Sequence, residues 1–389
     1  MNDDAFRVDP FRVDPFRVDP FRVDPFRVDI AACRSRQQRL VAEMELSGLE
    51  LVLLGRRESV QWLTGAQVGP LMAPAAALDA VGHVTLVLPA RQVSQEVAAD
   101  EVVPYEEKWH STLRDEQRAA SNEVLLATLK QRPRRVGGEW SQVGPRLLAE
   151  FGGEIENIEP TVFRLRRRKD PDEVRMLQRA NDANRAMYAR AREIIAPGIH
   201  ELDLYNELQA VAVRELGEPL TYFGQDFRAN ARGGLPRDRQ AQAGELMILD
   251  LGVGFRGYYS DNARTLAVDG APDDLQQQAW RRVCEVFPLV ESTIRPGVSC
   301  RGLFDEAQKL LDRSAPWVFN HHLGHGVGLA PQEGPHLNPR WDDVFTEGDF
   351  IAVEPGLYHD SLRHGVRLEE NYLVTAEGVR KLTDYPLEL

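Results

Sequence analysis

Residues 244–252 read "GELMILDLG" and residues 348–356 read "GDFIAVEPG". Each is a glycine, a short apolar run, an acid and a second glycine, so each predicts a buried strand ending on a carboxylate: Asp250 in the first, Glu354 in the second. An ionised acid in such surroundings is costly unless something compensates it. The likeness extends to either side. "IAPGIHELDLYNEL" from Ile195 and "IRPGVSCRGLFDEA" from Ile294 share a Pro-Gly stop and the start of an amphipathic helix. Downstream, "SDNARTLAV" faces "RLEENYLVT", which aligns Asp261 with Glu369. The chain therefore carries an internal duplication, and a pseudo-twofold arrangement of its halves would bring four acids into one interior.

Four converging carboxylates cannot all stay ionised unaided, because burial and mutual repulsion raise their pKa values. Divalent cations resolve the conflict. Four acids exceed what one ion usually draws from a protein, which points to a dinuclear site with bridging carboxylates. "NHHLGHGVGL" adds a nitrogen donor: His325 stands between two glycines that let the backbone approach a crowded centre. Carboxylate oxygens with one imidazole suit Mn²⁺, Fe²⁺, Co²⁺ or Zn²⁺ better than Ca²⁺.

The rest of the chain frames this centre. At 389 residues it is long enough for two domains. Its formal net charge of -13 argues against nucleic acid or an anionic membrane as main partner. No apolar run approaches a membrane span, and the start, "MNDDAFRVDP", shows no basic and apolar leader pattern. Cys33, Cys284 and Cys300 are too few and too scattered for a disulfide framework, so a reduced, cytoplasmic protein is expected.

"FRVDP" occurs four times between Phe6 and Pro25 and is followed by "FRVDI". A proline every fifth residue interrupts helix and ladder alike, so residues 1–29 are expected to be a disordered tail. Residues 30–160 read as a small α/β domain: "RQQRLVAEMELSGLELVLLG" gives a helix ending near Gly48 and then a strand, and "HVTLVLPA" another strand. No catalytic spacing occurs there. "RLRRRKDPDEVRMLQRAND" then reads as a solvated basic linker and a helix start, with Asp170 as N-cap, Pro171 next and Glu173 closing a capping box. Residues 161–389 form the duplicated domain, giving an α/β (α+β) chain overall.

Asp250, Asp261, His325, Glu354 and Glu369, in "LDLG", "SDNART", "GHGVGL", "VEPGLY" and "GVRLEEN", resemble the five-ligand pattern of the metallopeptidase family that includes methionyl aminopeptidase, aminopeptidase P and prolidase. "RRESVQWLTG" at 56–65 is similar to the N-terminal domain of aminopeptidase P, prolidase and creatinase. The resemblance implies a pita-bread catalytic domain holding two divalent ions, with manganese favoured and cobalt, zinc or iron as alternatives. Asp261 and Glu369 would bridge both ions, Asp250 would hold one, and His325 with Glu354 the other. A water shared by two cations ionises near neutral pH and can attack a peptide carbonyl. Glu354 would carry its proton to the leaving nitrogen.

It further implies Xaa-Pro dipeptidase activity on proline-containing di- or short peptides, and a homodimer. Aminopeptidase P and an ectoine-hydrolase-like hydrolase or lyase are the alternatives; a non-catalytic binding module is disfavoured by the five retained ligands. His321, Gln332 and Arg367 are the candidate substrate-binding or supporting residues. The sequence departs from the pattern at two usual histidines, whose positions hold Gln332 and Gly233. His336, His359 and His364 are the nearby residues that could take over.

Overall fold

The computed structural model describes residues 24 and 26–389, apart from 131, 143 and 152–154. The first four repeat units, Asp24 excepted, and with them most of the expected tail, lie outside the described residues. The fifth unit departs from that expectation. Phe26 sets its edge on Phe255 at 5.4 Å, Arg256 donates to Phe26 O at 3.1 Å and pairs with Asp24, two residues before it, at 2.6 Å, and the Asp29 side chain accepts from Ala32 N at the start of the helix Ile30–Ser47. An aromatic contact, an ion pair and a helix cap together hold this unit in place.

Residues 51–157 build a six-stranded sheet in the order Glu101–Tyr105, Val84–Pro89, Ala75–Asp79, Leu51–Leu54, Val136–Gly138, Glu156–Asn157. The helix Ile30–Ser47 ends where Gly48 takes a left-handed φ of 68°. The strand expected in "HVTLVLPA" is Val84–Pro89, buried throughout.

The basic run corrects the reading of a solvated linker. It forms the end of the helix Glu159–Arg167, and Arg166 and Lys169 are buried against the Glu333 carboxylate at 2.8 and 2.6 Å. Arg167 grips the fully buried Asp349 at 2.7 Å. Low dielectric makes these pairs structural rather than hydrated. The capping box at Asp170 and Glu173 is present and starts the helix Pro171–Ile194.

The duplication is visible residue by residue. The helix Pro171–Ile194 stops at Ile195 and the helix Val286–Thr293 at Ile294, both with extended cap residues. Gly198 and Gly297 then turn at φ 94° and 88°, and each amide reaches the next hairpin, at Ala241 O and Phe345 O, both 2.8 Å. His200 and Ser299 cap the helices Glu201–Leu216 and Cys300–Leu311. Each half carries an antiparallel sheet. In one, Leu246–Phe255 lies between Tyr222–Ala229 and Asn262–Ala267; in the other, Phe350–Val353 lies between Gly324–Gly326 and Glu370–Val374. The central strand Leu246–Phe255 is buried on both faces, packed with Leu177 and Met187 from the long helix. Among the described residues, no helix is long and apolar enough to cross a membrane.

Candidate metal centre

The two sheets meet along the segments that carry the acids. Asn262 donates its side chain to Glu369 O at 2.8 Å, and Asn371 donates to Asp261 O at 2.9 Å. Each half thus holds the backbone of the other half's second acid. Glu369 N bonds Ala263 O at 3.0 Å, and the buried Arg264 guanidinium fills the seam, bonding Asn262 Oδ1 at 2.9 Å and lying 4.5 Å over the Tyr385 ring. The asparagines and arginine of "SDNART" and "RLEEN" tie together the backbone segments that carry Asp261 and Glu369.

All five candidate ligands come together. Asp250, Asp261 and Glu369 offer oxygens that lie within 4.8 Å of one another. His325 Nε2 is 3.4 Å from Asp261 Oδ2 and 3.4 Å from Glu354 Oε1. His325 Nδ1 is 3.0 Å from Gly326 O, and with its proton placed there the lone pair of Nε2 faces the acids, as a metal ligand requires.

The electrostatics are governed by burial and by the acids' mutual repulsion. Burial pushes Asp250 up to about 6, Glu354 adding to the effect and Arg367 opposing it. Burial, then the Asp250 and Glu354 charges, raise Asp261 well above the carboxylate range. Glu369 rises for the same reasons, with Asp261 its nearest repeller. Glu354 goes the other way: burial raises it, but bonds from His322 and His325 more than offset this and hold it well below its usual value. Asp250 Oδ1 and Glu369 Oε1 are buried without a hydrogen-bond partner. Orphaned buried carboxylate oxygens facing one another are what divalent cations satisfy, so the residues present fit such ions.

The supporting residues sort differently from expectation. His321 Nε2 meets the Tyr358 hydroxyl at 2.9 Å, and burial lowers this histidine to about 4. Arg367 is 3.0 Å from Asp250 and also pairs with Asp226, so it is engaged by two acids. Gln332 instead lines a cleft of about 610 Å³ with Arg56, Phe163 and His336. His336 is bound to Asp343 at 2.8 Å and stacked on Trp341, and His359 caps the turn at Ser361, so both have other duties. At Gly233, φ is 149° and a Cβ would fall 2.1 Å from Asp226 Oδ2, so any side chain there would strain the backbone and displace the Asp226 carboxylate.

Three residues not anticipated belong here. Asp226 lies directly across from Asp250 in the strand register. His322 Nε2 is 2.8 Å from Glu354 Oε1, and Gln225 donates to Asp261 Oδ1 at 2.7 Å. Only the alternation of "YFGQDFRA" hinted at the first, by putting an acid on a strand that borders the Asp250 strand.

Two mirrored half-domains closing over this centre define the pita-bread class of metalloenzyme. The profile of metallopeptidase family M24 matches residues 175–376, and the chain belongs to that family; the profile of the creatinase/prolidase N-terminal domain matches residues 36–167. The uncharacterized peptidase YqhT of Bacillus subtilis is 30% identical over 270 residues, covering 66% of this chain and 74% of that protein. The Xaa-Pro dipeptidase of Pyrococcus horikoshii is 28% identical over 241 residues, 61% of this chain and 68% of the relative. The crystal structure of the prolidase from Pyrococcus horikoshii OT3 superposes with a TM-score of 0.76 at 22% identity, covering 91% of this chain and 99% of that one.

Proposed function

We propose that the protein is an Xaa-Pro dipeptidase that works with two divalent metal ions. The observation that carries this reading is the His325 imidazole held at 3.4 Å between Asp261 of one half and Glu354 of the other, inside a set of carboxylates with orphaned oxygens. Asp250, Asp261, His325, Glu354 and Glu369 would hold the ions. The oxygen-rich donor set with one imidazole favours manganese, with cobalt, iron and zinc as alternatives. Such ions supply Lewis acidity and lower the pKa of water toward neutrality.

The chain's own residues do the rest. Glu354, kept ionised by His322 and His325, accepts the proton released by water and delivers it to the leaving proline nitrogen. His321, neutral at physiological pH and braced by Tyr358, would donate toward oxygen charge developing on the scissile carbonyl. Arg367, locked on Asp226 and Asp250, fixes the orientation of the first acid rather than reaching for substrate. The Xaa-Pro dipeptidases among the relatives support proline specificity.

The test is proline release from Leu-Pro beside loss of alanine from Ala-Pro-Ala, with Mn²⁺ supplied to chelator-stripped protein. Turnover of the dipeptide alone is expected. Cleavage of the tripeptide in preference would make the protein an aminopeptidase, and inertness toward both would remove the peptidase reading.

A further inference from the structure

The two histidines ahead of His325 are not used up by the inner ligand set. The His322 side chain is 26% exposed, against 3% for His325, and its Nε2 stands 2.8 Å from Glu354 Oε1. His325 Nε2 reaches the same oxygen at 3.4 Å. One nitrogen of His321, one of His322 and one oxygen of Glu354 all lie within 4.8 Å of one another. Glu354 is thus the one residue common to this group and to the five inner ligands, and it joins the two.

The local backbone makes this grouping possible. In an extended strand, consecutive side chains point to opposite faces. His321 instead lies in a bend before the strand Gly324–Gly326, which lets two successive imidazoles approach one carboxylate. The His321 ring is braced twice: its Nε2 meets the hydroxyl of the buried Tyr358 at 2.9 Å, and its centroid is 4.8 Å from that of Phe319, edge to face. Outer partners of this kind orient metal-binding imidazoles. Two imidazoles and a carboxylate, with a further position open, form a donor set suited to Zn²⁺. The inner set, richer in oxygen, suits Mn²⁺ better, while zinc binds a given set of nitrogen and oxygen donors more tightly than manganese does.

We propose that His321, His322 and Glu354 form a third metal position, of zinc type, on the outer side of the dinuclear centre. An ion held there claims Glu354 and His321, which the proposed hydrolysis uses, so occupancy of the outer position and turnover exclude each other. That consequence rests on the peptidase reading above; the site itself does not. The experiment loads chelator-stripped protein with Mn²⁺, adds Zn²⁺, removes loose metal by gel filtration and counts both metals per chain by atomic emission, with calorimetry giving the zinc affinity. The variant is His322→Gln, which keeps a donor beside Glu354 and removes the imidazole. Expected are two manganese ions and one zinc ion per wild-type chain, and in His322→Gln a zinc affinity lower by at least about 100-fold, the upper end of what an outer partner alone is worth. A total of two ions in wild type, zinc merely replacing manganese, overturns the proposal. A third ion that His322→Gln retains at wild-type affinity overturns it as well, because that ion is bound elsewhere. A protein that takes the third ion through His322 yet releases no proline from Leu-Pro keeps this site and loses the peptidase reading; one that cleaves Leu-Pro but saturates at two ions keeps that reading and loses this site.

Discussion

Asp261 and Glu354 come from opposite halves of the duplication, yet each stands 3.4 Å from the same nitrogen of His325. The imidazole thus bridges two carboxylates that would otherwise face each other across the pseudo-twofold seam.

Asp261→Asn removes one acid from a cluster whose members raise one another's pKa values. The metal-free variant should melt at or above the wild-type temperature, because the cost of burying an acid against its neighbours is gone. Divalent metal should bind more than about 100-fold more weakly and should no longer raise the melting temperature. Differential scanning calorimetry with and without Mn²⁺ checks both halves; wild-type metal affinity in the variant would overturn the ligand assignment.

Metal-free protein should lose stability as pH rises through the interval from about 4 to 6. Burial pushes folded Asp250 up to about 6 from an ordinary 3.8, so the folded state binds the extra proton and unfolding releases it. Asp261 and Glu369 are raised in the same sense, while Glu354 opposes them. Bound divalent ions replace those protons, so the stabilisation by Mn²⁺ should grow with pH over the same interval. Urea unfolding of stripped and loaded protein at pH 4.5 to 7 measures this, and a metal effect that shrinks with pH would contradict it.

Gly326→Ala places a Cβ 2.1 Å from the Gly334 carbonyl oxygen. That oxygen belongs to the neighbouring strand, so backbone must move, at a cost of about 2 kcal/mol. The shift falls on the residue after His325 and should weaken metal binding along with stability. Equilibrium unfolding and metal titration of the same variant should fall together.

Glu333→Ala leaves Arg166 and Lys169 buried without their shared carboxylate. Removing one partner of such a group costs about 3–5 kcal/mol. Guanidinium unfolding should show that loss; a change within about 0.5 kcal/mol would mean the pocket hydrates instead.

The duplicated strands, the helix stops at Ile195 and Ile294, the capping box at Asp170 and the five convergent residues were legible because each rests on a local pattern: an apolar run, a Pro-Gly pair, a reciprocal cap. What was not legible depends on distant partners. The basic run reads as hydrated until Glu333 and Asp349 are seen to lie on it, 167 and 182 residues along the chain from Arg166 and Arg167. Asp226 acquires its place from strand register alone, and Gln332 and Gly233, located by counting, could not reveal that one faces a different cleft and the other has its Cβ position filled by a carboxylate. The fifth FRVD unit looked like its predecessors, and the Phe255 ring, the Arg256 bond to Phe26 O and the Asp29 cap set it apart.

The reciprocal asparagines carry an implication about origin. Asn262 secures the backbone of Glu369, and Asn371 that of Asp261, so each half holds the main chain of the other's second acid. A polypeptide of half this length would hold one acid-bearing strand, one helix stop and one asparagine with nothing of its own to grip. It would complete a metal centre only against another copy of itself, across a true twofold axis. Joining the two copies in one chain leaves each side free to change alone: one half carries Asp250 and Asp261 where the other carries Glu354 and Glu369 and adds His325.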